Sequence, residues 1–209
     1  MFISFEGIDG SGKSTQLSRA EAWLRGLGYD VLLTREPGGT AAGEAIRDLL
    51  LNPHSKLTGR AEYLLYSASR AQLVDEILHP HLCKPRAVAL VDRFADSSTV
   101  YQGAGRELGV DEVEAVTRFV TGNLEPDLTL YLDVDYETSV ARRAATGAAP
   151  DRLEQSPRDF FERVRQAYLD LCERHSKRMT RIDARASADE VWTQVQVAIA
   201  AHLPHTQGG

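Results

Sequence analysis

The run Phe2-Ile3-Ser4-Phe5-Glu6-Gly7-Ile8-Asp9-Gly10-Ser11-Gly12-Lys13-Ser14-Thr15 decides the fold. From Gly7 to Ser14 it spells G-x-x-x-x-G-K-S. Two glycines bracket a loop that must curl around an anion, and Gly10 between them adds freedom at positive φ. Successive backbone N–H groups then point inward as an anion nest. In such a loop Lys13 brings a point charge to the outer phosphates, and the Ser14 hydroxyl is placed for Mg²⁺. The following helix turns its N-terminal dipole toward the same anion.

The pattern has meaning only between a buried strand and a helix. Phe2 to Phe5 is apolar apart from one serine and reads as the strand. Thr15 to Leu27 carries Leu17, Ala20, Ala22, Trp23, Leu24 and Leu27 at helical spacing, and Gly28 stops it. Both conditions hold.

Downstream, apolar runs at 30–34, 87–91, 128–134 and 179–183 read as four more buried strands. Helical patterns fill 41–51, 60–79, 111–121, 136–146, 157–175 and 188–202. A helical piece is also expected from Asp96 into Tyr101, with a glycine-rich break at Gly103-Ala104-Gly105. Pro80 and Pro85 should bound a turn, and Ser156 should cap the helix that Pro157 opens. Alternation of strand and helix predicts an α/β fold: a five-stranded parallel sheet flanked by helices on both faces. Ligands bind such sheets at the carboxyl ends of the strands. Asp9, Arg35, Asp92-Arg93 and Asp183 stand at those ends. No internal repeat or linker divides the 209 residues, so a single domain over 1–209 is expected, with a lid at about 142–156.

The net charge of −6 argues against coating nucleic acid but leaves room for an anion in a local basic pocket. Cys83 and Cys172 form no CxxC and read as reduced thiols. No apolar run reaches the roughly 18–20 residues a membrane span needs, and Glu6 interrupts the first one, so a cytoplasmic location is expected. His79, His81, His202 and His205 fit no common metal spacing and read as solvated or packed.

Four further clusters carry chemistry. Asp92-Arg93 could hold Mg²⁺ through water and grip a phosphate through paired N–H bonds; the alternative is a surface ion pair. The stretch Asp96 to Arg106 is dense in donors and acceptors and suits reading a polar heterocycle; the alternative is a hydrated junction. Tyr66 and Arg70, four apart, could act on one ligand or simply pair on a packed helix. Arg142, Arg143 and Arg152 flank a Gly147 loop that either closes over phosphate or is solvated. Lys13 reads as an exposed loop lysine whose removal leaves the fold intact.

Taken together, these stretches resemble the bacterial thymidylate kinases, P-loop nucleoside monophosphate kinases. The resemblance rests on Glu6 to Thr15, Thr34-Arg35-Glu36-Pro37-Gly38-Gly39-Thr40, Ser67-Ala68-Ser69-Arg70-Ala71-Gln72, Asp92-Arg93-Phe94, Asp96-Ser97-Ser98, Tyr101-Gln102-Gly103, Pro126 to Asp133 and Asp151-Arg152-Leu153-Glu154. It implies phosphorylation of dTMP to dTDP with MgATP, a step toward dTTP, by a homodimer whose partners are ATP and dTMP and not nucleic acid or membrane. The loop Gly7, Ile8, Asp9, Gly10, Ser11, Gly12, Lys13, Ser14, Thr15, with Arg142, would bind ATP. Ser14 and Asp92 would hold Mg²⁺, partly through water. Asp9 would meet the sugar 3′-hydroxyl. Arg47, Arg70 and Arg93 would surround the acceptor nucleotide, with Arg93 on its phosphate and Arg70 on the thymine edge. Tyr66 would stack on thymine, Ser98 and Gln102 would approach the base, and Tyr101 would crowd the 2′ carbon. Glu36-Pro37 would form a cis-peptide loop beside the acceptor phosphate. Lys13, Arg93 and Arg152 are the expected catalytic residues. Two departures from the family pattern are Phe94, where many relatives have Tyr or His, and a lid poor in arginine, which leaves Arg152 as its clearest catalytic candidate. Another nucleotide kinase is the competing enzyme reading; a non-catalytic nucleotide switch is the other, though no N-K-x-D motif is present.

Overall fold

The computed structural model describes residues 1–145, 147 and 150–203. Its centre is a five-stranded, all-parallel sheet in the order β2-β3-β1-β4-β5, built from β1 (Phe2–Glu6), β2 (Asp30–Arg35), β3 (Ala87–Asp92), β4 (Leu128–Asp133) and β5 (Met179–Asp183). β1, β3 and β4 are buried along almost their whole length because helices cover both faces. One core layer gathers Leu17, Ala20 and Leu24 with Tyr168, Val195 and Ile199. The opposite layer is smaller and packs Phe2, Leu73, Leu78 and Phe94.

The register brings functional segments together. Phe5 lies beside Asp92, so the loop after β1 and the turn after β3 leave the sheet side by side. α1 (Lys13–Gly26) follows that loop directly. β2 leads through a cis Glu36–Pro37 peptide to α2 (Ala41–Leu51), which the Thr40 hydroxyl caps. α3 (Gly59–Leu73) packs on α2, and the Thr58 hydroxyl caps it.

Three local expectations are corrected. The helix expected over 60–79 is helical throughout, but as α3, a π-helical turn at Val74–Leu78, and α4 (His79–Leu82), which carries it past Pro80. Pro80 does not begin a turn: the backbone stays helical through Leu78 and His79, and the π-helical turn directly before Pro80 accommodates its ring and missing N–H. The expected break at Gly103-Ala104-Gly105 is helical too: α5 (Ala95–Ser98) widens into a π-helical stretch from Thr99 to Gly105. The glycine is needed there for close approach, since a Cβ on Gly105 would stand 2.6 Å from the Phe160 ring. α6 (Val110–Val120) then starts at a Gly109 cap.

α7 (Tyr136–Ala144) is capped by Asp135. The expected extension to Thr146, and Ala148 and Ala149 of the lid loop, fall outside the described residues. α8 (Arg158–Arg174) starts from Pro157 with no side-chain cap, so Ser156 does not serve: the fixed φ of Pro157 already sets the entry to the helix. α9 (Ala188–His202) closes the described chain behind a Ser187–Glu190 capping box. Cys83 and Cys172 are free thiols. Among the described residues, no helix is long and apolar enough to cross a membrane, and no group of three or more metal-ligating side chains forms. His81 is buried, its Nε2 3.1 Å from the Asp30 carbonyl; His205 lies outside the described residues.

Replacing a helical glycine by alanine normally stabilises by roughly 0.5–1 kcal/mol. The Phe160 contact reverses the sign here: Gly105→Ala is expected to destabilise by about 1–3 kcal/mol through overpacking. A urea unfolding midpoint equal to or above that of the parent would contradict this packing.

Candidate active site

The loop from Gly7 to Gly12 curls as its spacing requires. Gly7, Gly10 and Gly12 all have positive φ, and the Ser11 N–H donates to the Ile8 carbonyl at 3.1 Å. A Cβ on Gly7 would approach the Leu132 carbonyl oxygen to 2.6 Å, so the loop can lie against β4 only as glycine. Lys13 is not exposed, as the sequence suggested, but 6 % accessible. Its ammonium donates to the carbonyls of Gly7 (2.9 Å) and Ile8 (3.2 Å), and burial together with Arg93 draws its pKa below the usual lysine range.

One cavity of about 430 Å³ opens over this loop. Gly10, Gly12, Lys13, Ser14 and Thr15 border it from the α1 side, while Gly7, Ile8 and Ser11 lie outside its lining. Across from them it meets Arg47, Tyr66, Arg93, Ser98, Tyr101 and Gln102, with Glu36 and Pro37 at one wall. Asp9, Asp92 and Arg142 also border it. Residues from seven separate stretches of chain therefore face one space. Asp183 does not: it pairs with Arg185 at the far edge of the sheet.

Cations and carboxylates fix one another around this space. Arg93 Nη2 donates to Asp9 Oδ1 at 2.8 Å, and its Nη1 reaches the Tyr101 hydroxyl at 3.3 Å. Burial pushes the Asp9 carboxyl up, but Arg93 and Lys13 outweigh it and hold Asp9 below the ordinary carboxylate range. Arg47 donates to the Pro37 carbonyl at 2.9 Å. One oxygen of Asp92, Oδ1, is buried without a hydrogen-bond partner.

Two expected contacts are more indirect than the sequence suggested. Arg70 shares the Tyr66 face of α3 but does not line the cavity. It is 1 % exposed and donates to Glu36 Oε2 (2.8 Å), Ser98 Oγ (3.1 Å) and the Phe94 carbonyl (3.0 Å). Arg70 thus stands behind Glu36 and Ser98, which do line the space. Arg152 is likewise outside the lining; it donates to Glu62 Oε2 at 2.6 Å and to the Leu50 carbonyl at 2.8 Å. Arg142 Nη1 donates to the Ala184 carbonyl at 2.9 Å, and Arg143 lies 3.7 Å from Glu154.

Two buried carboxylates had no role in the sequence reading. Glu62 accepts from Gln102 (2.8 Å), Arg106 (3.3 Å) and Arg152, joining the cavity wall to the segment before α8. Glu6 accepts from Phe94, Ser97 and Tyr168. The one available signal was for Glu6, an acid inside an apolar strand; Glu62 in a polar helix had none.

Removing one member of a buried ion pair strands the other. Arg70→Met should therefore cost about 3–5 kcal/mol at pH 8. The cost should shrink at pH 5, because burial already raises the Glu36 carboxyl and protonation then removes its stranded charge. Equal losses at the two pH values in urea unfolding would contradict the pairing.

The family model for thymidylate kinase matches residues 5–195. The thymidylate kinase of Deinococcus radiodurans is 47% identical over 199 residues, covering 95% of this chain and 96% of that protein. That of Kosmotoga olearia is 47% identical over 195 residues, 93% of each chain. The crystal structure of thymidylate kinase from Ehrlichia chaffeensis superposes with a TM-score of 0.77 at 30% identity, covering 96% of this chain and 98% of that one. By sequence over nearly its whole length, and by fold, this chain belongs to the thymidylate kinase family.

Proposed function

We propose that this chain transfers the γ-phosphoryl group of ATP to the phosphate of dTMP, giving dTDP for dTTP synthesis. The observation that carries this reading is the single cavity bordered at once by the phosphate loop and by Arg93, Arg47, Tyr66, Ser98 and Gln102. In-line transfer needs two anions side by side with their repulsion offset.

The loop N–H groups and Lys13 cradle the donor phosphates, with Thr15 at their edge and Arg142 beside the adenosine. Mg²⁺ fits the residues present: the Ser14 hydroxyl and the unpartnered Asp92 oxygen are hard oxygen donors on the same cavity. Held there, partly through water, the metal would neutralise charge on the transferring group. Arg93 and Arg47 take the acceptor phosphate. Tyr66 stacks on thymine, Ser98 and Gln102 face its edge, and Arg70 sets Ser98 from behind. Asp9 meets the 3′-hydroxyl when Arg93 turns to phosphate, and Tyr101 fills the space a 2′-hydroxyl would need. The acceptor oxygen is already anionic, so no general base is required.

Arg152 supplies charge at the transition state once the lid, about 142–156, releases it from Glu62. The chain acts as one domain over 1–209, in the cytoplasm, without nucleic-acid partners. It works as a homodimer through exposed apolar side chains of α2, α3 and α6, among them Leu49, Leu64, Val116 and Phe119, the last 88 % accessible.

ATP consumption measured with dTMP, dUMP, dCMP, thymidine and AMP as acceptors tests the reading. dTMP should be the best acceptor. dUMP should trail by roughly 10–200-fold in kcat/KM, the worth of one methyl pocket. Turnover with AMP or thymidine in place of dTMP would overturn the assignment.

A further inference from the structure

We propose that Glu6 is a positioning residue for the acceptor phosphate: it fixes the turn that carries Arg93 and so sets where that guanidinium points. The inference rests on the reading of Arg93 as the acceptor-phosphate residue.

Glu6 closes β1 and is fully buried. A carboxyl group is costly in such a place unless its oxygens are fully engaged. They are, by donors from two other parts of the chain. Oε1 accepts the Phe94 N–H at 2.7 Å. Oε2 accepts the Ser97 hydroxyl at 2.5 Å and the Tyr168 hydroxyl at 2.8 Å. Ser97 belongs to α5 and borders the cavity; Tyr168 belongs to α8.

The turn these bonds hold is unusual. Arg93 has φ 68, the left-handed region that a residue with a long side chain rarely adopts. Such a conformation persists only where its surroundings over-determine it. Here the Arg93 N–H donates to the Phe5 carbonyl at 2.9 Å, and Glu6 takes the next N–H. The Ser97 hydroxyl bound to Glu6 also lies 3.4 Å from Arg93 Nη1. Gly7, next in the chain, opens the phosphate loop. One carboxyl group thus joins the donor loop, the acceptor arginine and α8.

Burial pushes the Glu6 carboxyl up to about 7, with Asp96 adding to the rise and Ser97, Arg93 and the Phe94 N–H opposing it. The charged and titratable groups around it are Asp96 and Arg93, Lys13 on α1, Tyr101 in the π-helical stretch after α5, Tyr168 on α8 and Arg178 before β5. All three groups bonded to Glu6 are donors, which suits the ionised form; a proton on Oε2 would force a hydroxyl to turn away. The turn is therefore held best on the alkaline side of neutrality. In Glu6→Gln the amide oxygen can still accept from Phe94, but the NH₂ displaces the hydroxyl donors and the pH response disappears.

The test is steady-state kinetics of the full-length parent and Glu6→Gln from pH 6 to 8, with ATP binding measured by calorimetry without acceptor, and Tm. Glu6→Gln should lower kcat/KM for dTMP by about ten- to a hundredfold at pH 8. The ATP Kd should be unchanged and Tm not lowered. The parent-to-variant ratio of kcat/KM should rise with pH, up to about ninefold for a group titrating near 7; the ratio cancels the ionisation of dTMP itself. Ser97→Ala, which leaves Glu6 in place, should show the same split between dTMP and ATP. An unchanged kcat/KM for dTMP, a flat ratio, or equal loss of dTMP and ATP recognition with a lower Tm would overturn the inference. A parent that does not phosphorylate dTMP at all would instead remove the functional reading beneath it.

Discussion

The site depends on adjacency in the sheet. β1 lies between β3 and β4, and Phe5 pairs with Asp92, so the phosphate loop and the Arg93 turn emerge within reach of each other. The 2.8 Å contact between Arg93 and Asp9 spans that gap and ties the two segments together. A parallel sheet of this order brings the carboxyl ends of its central strands to one edge, where the α1 N-terminus also points. The glycine-rich loop and the Arg93 turn thus share one cavity because of strand order.

Charge governs the rest of the architecture. Cations gathered around one cavity repel one another unless carboxylates offset them. Here the buried or half-buried carboxylates Asp9, Glu36 and Glu62 sit against Arg93, Arg70 and Arg152, respectively. Each pair keeps its guanidinium in a defined place with its charge compensated while the cavity holds no anion. The same pairs explain why Arg70 and Arg152 stand one layer back from the space they were expected to line.

How much of this could be read from the sequence follows from how local each signal is. The phosphate loop was legible because its chemistry needs neighbouring residues in fixed order, and the strands were legible as short apolar runs, clearest in β1, β3 and β4, where both faces are buried. The cavity wall opposite the loop was not derivable from pattern alone: Arg47, Tyr66, Arg93 and Gln102 meet only through topology, and it was the resemblance to a family that grouped them. Pro80 and Gly105 were misread because breaker rules describe isolated segments; in the fold, one continues a helix just past a π-helical turn and the other makes room for Phe160. Glu6 and Glu62 gave little or no local sign, because a buried carboxylate is defined by partners far away in the chain.

The central claim is that donor and acceptor nucleotides occupy one continuous space with their phosphates in line. Binding of an adenosine joined to a thymidine through five phosphates tests it most directly. The account predicts that this compound binds far more tightly than ATP or dTMP and competes with both, since one cavity holds both ends. Competition with only one of the two nucleotides, at an affinity no better than that nucleotide alone, would contradict it.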